Sequence, residues 1–320
     1  PLDSLDLLPM SDGGDGFGEV TSALLHARSQ CVKAVDAAHR PCTATWWWES
    51  RTKTAIIESA GVIGLAMLPP KRFHPFQLDT LGLGAVVRAA AKKGAVRCLI
   101  GIGGSATNDG GFGLARALGW QFLDRKGQLL ERWTDLHRLD RIRAPRRRRW
   151  FARNLVATDV QNRLLGPCGA SRVYGPQKGL RPQDFALAER CLGRLARVVQ
   201  RQFGRDFAWV PGAGAAGGLG FGLMVFLAAE LKPGFDLVAR QAALGRRLRA
   251  ADLVITGEGA IDRSTLMGKG VGQIARRCQE LNIPCIGLAG IVSVSKETAE
   301  AFTQVHALTD LTVVRQAKAQ

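Results

Sequence analysis

Short apolar runs alternate along the chain with stretches whose apolar residues recur every three or four positions. Val96–Ile100, Leu155–Ala157, Asp252–Thr256 and Cys285–Ala289 read as buried strands. Leu81–Lys93, Asp184–Phe203, Phe235–Arg249 and Gly270–Leu281 carry the helical spacing. Strand and helix taking turns in this way predict an α/β fold with a mostly parallel sheet. Two regions break the rhythm. Thr43–Trp48 and Thr54–Glu58 suggest adjacent strands in a hairpin, with Trp46, Trp47 and Trp48 giving a strand a core face and an edge face rather than a stacking platform. Residues 120–210 mix strands, a basic stretch and a long helix, with a further strand expected at Trp120–Leu123. The expected organisation is a parallel-sheet domain made of residues 1–30, 60–119 and 211–320. A second, smaller mixed α/β domain, residues 31–59 and 120–210, would be inserted into it.

Composition narrows the picture. A chain of 320 residues with 46% hydrophobic and 22% charged residues is that of a globular protein, not a disordered or coiled-coil one. Seven cysteines, an odd number with no C-x-x-C and no zinc-like Cys/His spacing, predict reduced thiols and a cytoplasmic protein. Phe207–Ala229 carries no charge, but six glycines and Pro211 make it a glycine loop feeding a buried helix rather than a membrane span. The formal net charge of +17 would suit anionic substrates or polyanions, and equally a merely arginine-rich surface.

The 38 glycines are clustered, and the clusters carry the candidate chemistry. Four loops combine glycines with carboxylates or amides: Ser11–Gly16, Gly101–Gly111, Pro211–Gly218, and Thr256–Asp262 followed by Gly268 and Lys269. The second and fourth directly follow predicted strands, at the carboxyl edge of a parallel sheet where ligands bind. Glycine lets backbone N–H groups close on an anion, and nearby Asp, Glu and Asn offer hard oxygen ligands to Mg²⁺. Lys178 and Lys269 would meet phosphate oxygens as point charges. None of the five histidines falls in these loops, which turns the chemistry away from histidine-based acid/base catalysis. Gly101-x-Gly103-x-x-Ala106, with Asp124 further on, imitates a dinucleotide motif, but Asn108-Asp109-Gly110-Gly111 interrupts the helix it needs. Lys269 is followed by glycine, so no P-loop is present.

These segments together resemble the bacterial glycerate kinase family. The resemblance runs through Pro9–Gly16, Gly101–Gly111, Tyr174–Gly179, Pro211–Gly220 and Thr256–Gly259. Shorter echoes occur at Ile57–Ala60, Asp159–Asn162, Gly169–Ser171, Ala229–Lys232 and Gly268-Lys269. The resemblance implies ATP- and Mg²⁺-dependent phosphorylation of D-glycerate, to 2-phosphoglycerate by one family route. It also implies two α/β domains, one flavodoxin-like and one inserted, with the active site in a cleft. Family members begin with a strand, an Asp-Ser-Phe/Tyr-Lys loop and a helix, and end in a further helix. The chain is expected to lack both ends. Ala260 and Ser264 stand where a basic residue and a glutamine are usual.

Roles follow as expectations. ATP phosphates would sit on Gly103, Gly104 and Ser105, beside Asn108, and on the loop bearing Gly212, Gly214, Gly217 and Gly218. Asp109 or Glu258 would hold Mg²⁺. Asp159 or Asp262 would accept the glycerate hydroxyl proton, with Lys178, Lys269 or both neutralising the transferring group. Asp12, Asn162 and Gln177 would contact substrate. The plain alternatives are that Asp12 and Asp15 form turns or caps, and that Asn162 and Gln177 only satisfy loop backbone. A possible homodimer and no membrane partner complete the expectation. Three rival readings stand beside it. One is a NAD-dependent oxidoreductase using the Gly101–Ala106 loop. Another is a nucleic-acid binder using the seven arginines between Arg141 and Arg153, a run read here as solvated surface. The third is an inactive, truncated paralogue.

Overall fold

The computed structural model describes residues 4–262, 265, 270–293 and 300–309. It resolves an α/β protein of two compact units, residues 13–234 and residues 1–12 with 235–320.

The larger unit is built on a six-stranded sheet. Its strands in chain order are β1 (Arg28–Val35), β2 (Pro41–Glu49), β3 (Thr54–Glu58), β4 (Arg97–Gly101), β7 (Arg153–Ala157) and β8 (Glu230–Lys232), and they lie in that order across the sheet. A separate antiparallel pair, β5 (Gln121–Asp124) and β6 (Leu139–Arg143), follows β4 in the chain. β1, β2 and β3 form an antiparallel meander, whereas β3, β4, β7 and β8 run parallel. The change of direction is written in the burial. Thr54, Ala55, Ile56 and Ile57 of β3 are all buried, the continuous pattern of a strand covered on both faces. β2 alternates instead, with Ala44 and Trp46 buried and Thr43 and Thr45 exposed. Trp47 lies over Gly18 of the helix Phe17–Leu25, close enough that any larger residue at 18 would strike the indole.

The helix Phe185–Phe203 buries Ala188, Cys191, Leu192, Leu195 and Val199, the stripe its spacing predicts, and stops at Gly204 in the left-handed region (φ 70°). Ala215–Phe226 is buried almost all round, its helix interrupted near the start by Ala216, Gly217 and Gly218 in the left-handed region, so the uncharged stretch belongs to the core. No helix among the described residues is long and apolar enough to cross a membrane.

The other unit carries three parallel strands, β9 (Val254–Ile261), β10 (Cys285–Val292) and β11 (Gln304–Ala307), in the order β11-β10-β9. Helix Gly270–Glu280 packs its Ile274, Ala275 and Cys278 into a core with Phe235, Leu244 and Phe302.

Two expectations change. The division at 31–59 and 120–210 cuts through one sheet, since β3 bonds directly to β4 and β4 to β7. The compact units fall elsewhere, and the segment inserted within the other along the chain is the larger one. The expected helix Phe235–Arg249 is two, Gly234–Gln241 and Leu244–Arg249, broken where Ala243 turns left-handed (φ 50°) and lets Leu244 and Leu248 enter the core.

Candidate active site

In the larger unit the glycine loops gather at the carboxyl ends of β3, β4 and β7. Gly101–Gly111 leaves β4 and is pinned by neighbouring backbone: Ser59 N–H donates to Gly101 O (2.9 Å), Leu65 N–H to Gly104 O (2.8 Å), and Gly103 N–H to Gly13 O (3.1 Å). Glu58, at the end of β3, accepts from Gly16 N–H (3.2 Å) and Gly18 N–H (2.8 Å), fixing the turn into the first helix with a carboxylate at its positive end. In the sequence Glu58 stands only within the short segment Ile57–Ala60. Its signal was position, an acid at the carboxyl end of a buried strand.

The loops differ in what their glycines do. Gly104 is exposed in the left-handed region (φ 67°), beside the half-buried Gly103, whose N–H is already given to Gly13 O, so the exposed backbone of this corner is that of Gly104. Ser105 is buried, its hydroxyl 2.9 Å from that of Thr107. Gly212, Gly214, Gly217 and Gly218 are all buried. A Cβ at Gly217 would run into the carbonyl oxygen of Thr107, and Gly110 N–H donates to Gly217 O (3.1 Å). Gly214, Gly217 and Gly218 let backbones approach one another, whereas Gly212 faces the Leu231 and Thr158 side chains. Of the glycines expected to meet phosphate, Gly104 is exposed and Gly103 half-buried, while the other four are buried.

Asp109 is not placed to hold a metal. It is fully buried, and its carboxylate accepts from Thr80 N–H (3.0 Å), Thr80 Oγ1 (2.8 Å), Gly113 N–H (2.9 Å) and Gly111 N–H (3.1 Å). Burial, reinforced by the charge of Asp79, pushes its carboxyl up to about 6. Asp79 itself accepts from Leu81 N–H (2.9 Å) and lies 2.8 Å from His39 Nε2. Asn108 is equally inaccessible: its amide donates to Ser171 Oγ (2.9 Å), tying the loop to the helix Ala170–Lys178.

Lys178, the last residue of that helix, is 6% exposed and donates from Nζ to Thr107 O (2.7 Å). Burial lowers its pKa to about 7, with the Asp109 carboxylate opposing the shift. Thr80, Asp109, Thr107 and Lys178 thus form one buried scaffold under the loop, in which the lysine braces backbone. Thr80 and Asp79 had no motif to mark them.

The remaining candidates are scattered. Asn162 donates to Cys168 O (2.8 Å) and accepts from Tyr174 Oη (2.6 Å), the plain backbone-satisfying arrangement. Gln177 is exposed on its helix. Asp159 accepts from Gly234 N–H (2.9 Å), joining the segments after β7 and β8. Asp12 is exposed and belongs to the other unit. There too, buried Thr265 links Glu258 and Asp262: its hydroxyl donates to Glu258 Oε1 (2.7 Å) and accepts from Asp262 N–H (3.1 Å). Lys269 and Gly268 lie outside the described residues.

Among the described residues no three His, Cys, Asp or Glu side chains stand together as a metal-ligand set. Mg²⁺ asks for less, commonly one or two carboxylates with water and phosphate oxygens. Glu258, partly exposed and oriented by Thr265, has suitable donor chemistry; Asp109 does not.

The rival motifs fare differently from their sequence appearance. Gly101–Ala106 leads not into a helix but through Thr107–Gly111, and the six-residue helix begins only at Phe112. Asp124 accepts from Lys126 and Gln128 N–H groups in a turn after β5, a strand outside the β4 sheet, so no acid stands where a dinucleotide ribose would require it. Arg146–Arg149 are exposed, Arg147 stacking on Trp150 with 4.4 Å between guanidinium and ring centre.

Fold and loops together define an α/β protein whose glycine-rich turns cluster at the carboxyl edge of parallel strands. The chain belongs to the glycerate kinase family, whose model matches residues 1–319. That is a family of phosphotransferases with an alcohol group as acceptor. The glycerate 2-kinase of Escherichia coli (strain K12) is 37% identical over 295 residues, spanning 88% of this chain and 75% of its own. The glycerate kinase of Bacillus subtilis (strain 168) is 37% identical over 290 residues, 89% of this chain and 76% of its own. A crystal structure of a putative glycerate kinase 2 from Salmonella typhimurium LT2 superposes with a TM-score of 0.82 at 34% identity, covering 94% of this chain and 80% of that one.

Proposed function

We propose that this protein is a cytoplasmic, ATP-dependent kinase of glyoxylate metabolism that phosphorylates D-glycerate to 2-phosphoglycerate. The observation that carries this reading is the exposed backbone at Gly104, in a loop pinned between β4 and residue 13 and stiffened by the Asp109–Thr80 and Lys178–Thr107 contacts. Phosphoryl transfer asks a protein mainly for positioning and for electrostatic stabilisation, and rigid amides without a Cβ supply both. Mg²⁺ would neutralise charge on the phosphate oxygens, and in the smaller unit Glu258, oriented by Thr265, has the donor chemistry to hold it. As the γ-phosphorus bonds to the C2 hydroxyl oxygen, its bond to the bridging oxygen of ADP breaks and the hydroxyl proton passes to a carboxylate.

Of the two candidates for that proton we favour Asp262, because Asp159 accepts from Gly234 N–H and so links two loops. Lys269 is the preferred cation for the transferring group. Lys178, braced against Thr107, acts as a positioning residue. The seven free cysteines are consistent with a reducing compartment.

The test is a coupled ADP-release assay with D-glycerate, with the product resolved by ³¹P NMR. Turnover that gives 2-phosphoglycerate and falls by orders of magnitude in Asp262→Asn supports the reading. ADP release indifferent to D-glycerate overturns it.

A further inference from the structure

A cavity of about 510 Å³ opens in the larger unit, bounded by the residues that follow β7, by Arg205–Pro211, and by β8 with the turn after it. Two short segments of the family resemblance, Asp159–Asn162 and Ala229–Lys232, border it, and neither has a role in the reaction as described above. We propose that this cavity receives the purine nucleoside end of the nucleotide, an assignment that rests on the kinase reading.

Its size and lining fit that occupant. The volume lies within the roughly 300–1,000 Å³ of small-molecule sites and is generous for an acceptor as small as glycerate. Val160, Phe207, Val210, Met224 and Leu231 give it apolar walls, which suit the faces of a heteroaromatic ring and not a small hydroxy acid. The polar groups are few. Gln161 offers an amide to ring or ribose, and Arg205 and Lys232 bring positive charge to a site for a ligand that ends in phosphates. The guanidinium of Arg205 lies 4.8 Å from the centre of the Phe207 ring, giving that ring a defined face, and Lys232 is paired with Glu230.

Position supports the same occupant. The cavity lies at the carboxyl ends of two parallel strands, the edge at which open α/β sheets take their ligands. Gly212 forms part of its surroundings: a Cβ there would come within 3.1 Å of Leu231 and 3.3 Å of Thr158, so the absence of a side chain leaves the walls their spacing. Asp159, through Gly234 N–H, ties the segments after β7 and β8 together and fixes the width between them.

The test is ATP binding measured by equilibrium dialysis on the whole chain and on two variants, Val160→Trp, which fills the cavity, and Phe207→Ala, which removes a wall. Thermal unfolding would verify that each is folded. The expected result is at least a tenfold rise in the ATP Kd for Val160→Trp and a severalfold rise for Phe207→Ala, with the KM for D-glycerate within twofold of the parent. Photolabelling of the unaltered chain with 8-azido-ATP provides a readout that needs no variant, and label is expected within residues 205–211 or 229–233. Label confined to other segments, or an unchanged ATP Kd in both folded variants, overturns the assignment while leaving the kinase reading intact. A parent chain that binds no ATP overturns both.

Discussion

The ammonium of Lys178 sits 2.7 Å from the carbonyl oxygen of Thr107, at a place so dry that its pKa falls to about 7. A lysine so placed costs stability while protonated and stops doing so once neutral. The unfolded chain titrates near 10.4 and binds the proton more tightly than the folded one, so between about pH 7 and 10 stability rises with pH on this account. Urea unfolding of the parent and of Lys178→Met at pH 7 and pH 9.5 checks this. The parent should gain stability relative to the variant at the higher pH. Because the variant releases Thr107, its kcat should also fall roughly 10- to 100-fold with the fold retained.

Asp109 runs the opposite way. Its folded pKa of about 6 lies above the unfolded value near 3.9, so the folded state keeps its proton longer, and stability falls as pH rises from about 4 to 6. Asp109→Asn removes that slope. It also turns an amide N–H₂ toward donors, since Thr80 N–H, Gly113 N–H and Gly111 N–H all point at the carboxylate. A loss of about 2–4 kcal/mol in denaturant unfolding is expected.

Gly104 and Gly217 separate two uses of the same residue. Both have positive φ, 67° and 69°, so alanine at either should cost about 1 kcal/mol from conformation alone. At Gly104 the added carbon comes within 3.2 Å of the Ala60 methyl and meets the Asp15 carboxylate, which can swing aside. At Gly217 it meets the Thr107 backbone, which cannot. Thermal unfolding should therefore show Gly217→Ala losing at least 2 kcal/mol more than Gly104→Ala, whereas ATP affinity should suffer in Gly104→Ala beyond its small stability change.

The arginine run gives a prediction of indifference. Arg146 and Arg148 are exposed, and none of the contacts described above uses them. Arg146→Ser with Arg148→Ser should change stability by less than about 0.5 kcal/mol and leave turnover alone. Arg147→Ala should cost about 0.5–1 kcal/mol through its lost stacking on Trp150. A drop in turnover in the double variant would show that the run takes part in function.

Much of this was legible in one dimension. Helix Phe185–Phe203 and strand β4 follow directly from apolar spacing, because each buries one stripe or one continuous run. The β2–β3 hairpin was readable too, but not that β3 goes on to pair in parallel with β4, a long-range choice with no local mark. The break at Ala243 hid because alanine does not advertise a left-handed turn as glycine or asparagine does. At the site, glycine clusters marked three loops. The fourth expected loop, Thr256–Asp262, continues strand β9 as far as Ile261, paired to β10, and composition alone did not show what each glycine does. A glycine that accommodates an anion and one that accommodates a peptide have the same letter, and only the third dimension shows that Gly104 faces outward while Gly217 faces Thr107. The acids differ likewise: Asp109 sits in the richest motif and is spent on Thr80 and on its own loop, while Glu58 lies outside it and anchors the neighbouring turn.

Side chains act as springs, since a rotamer can yield when a neighbour shifts. Where Thr107 meets Gly217, and Gly111 meets Gly222, there are no side chains between the two main chains to yield. The 211–218 and 101–111 turns meet main chain to main chain, joined also by the Gly110 N–H to Gly217 O bond, so a displacement of one bears directly on the other. A reporter placed on either one should register nucleotide arrival at the other.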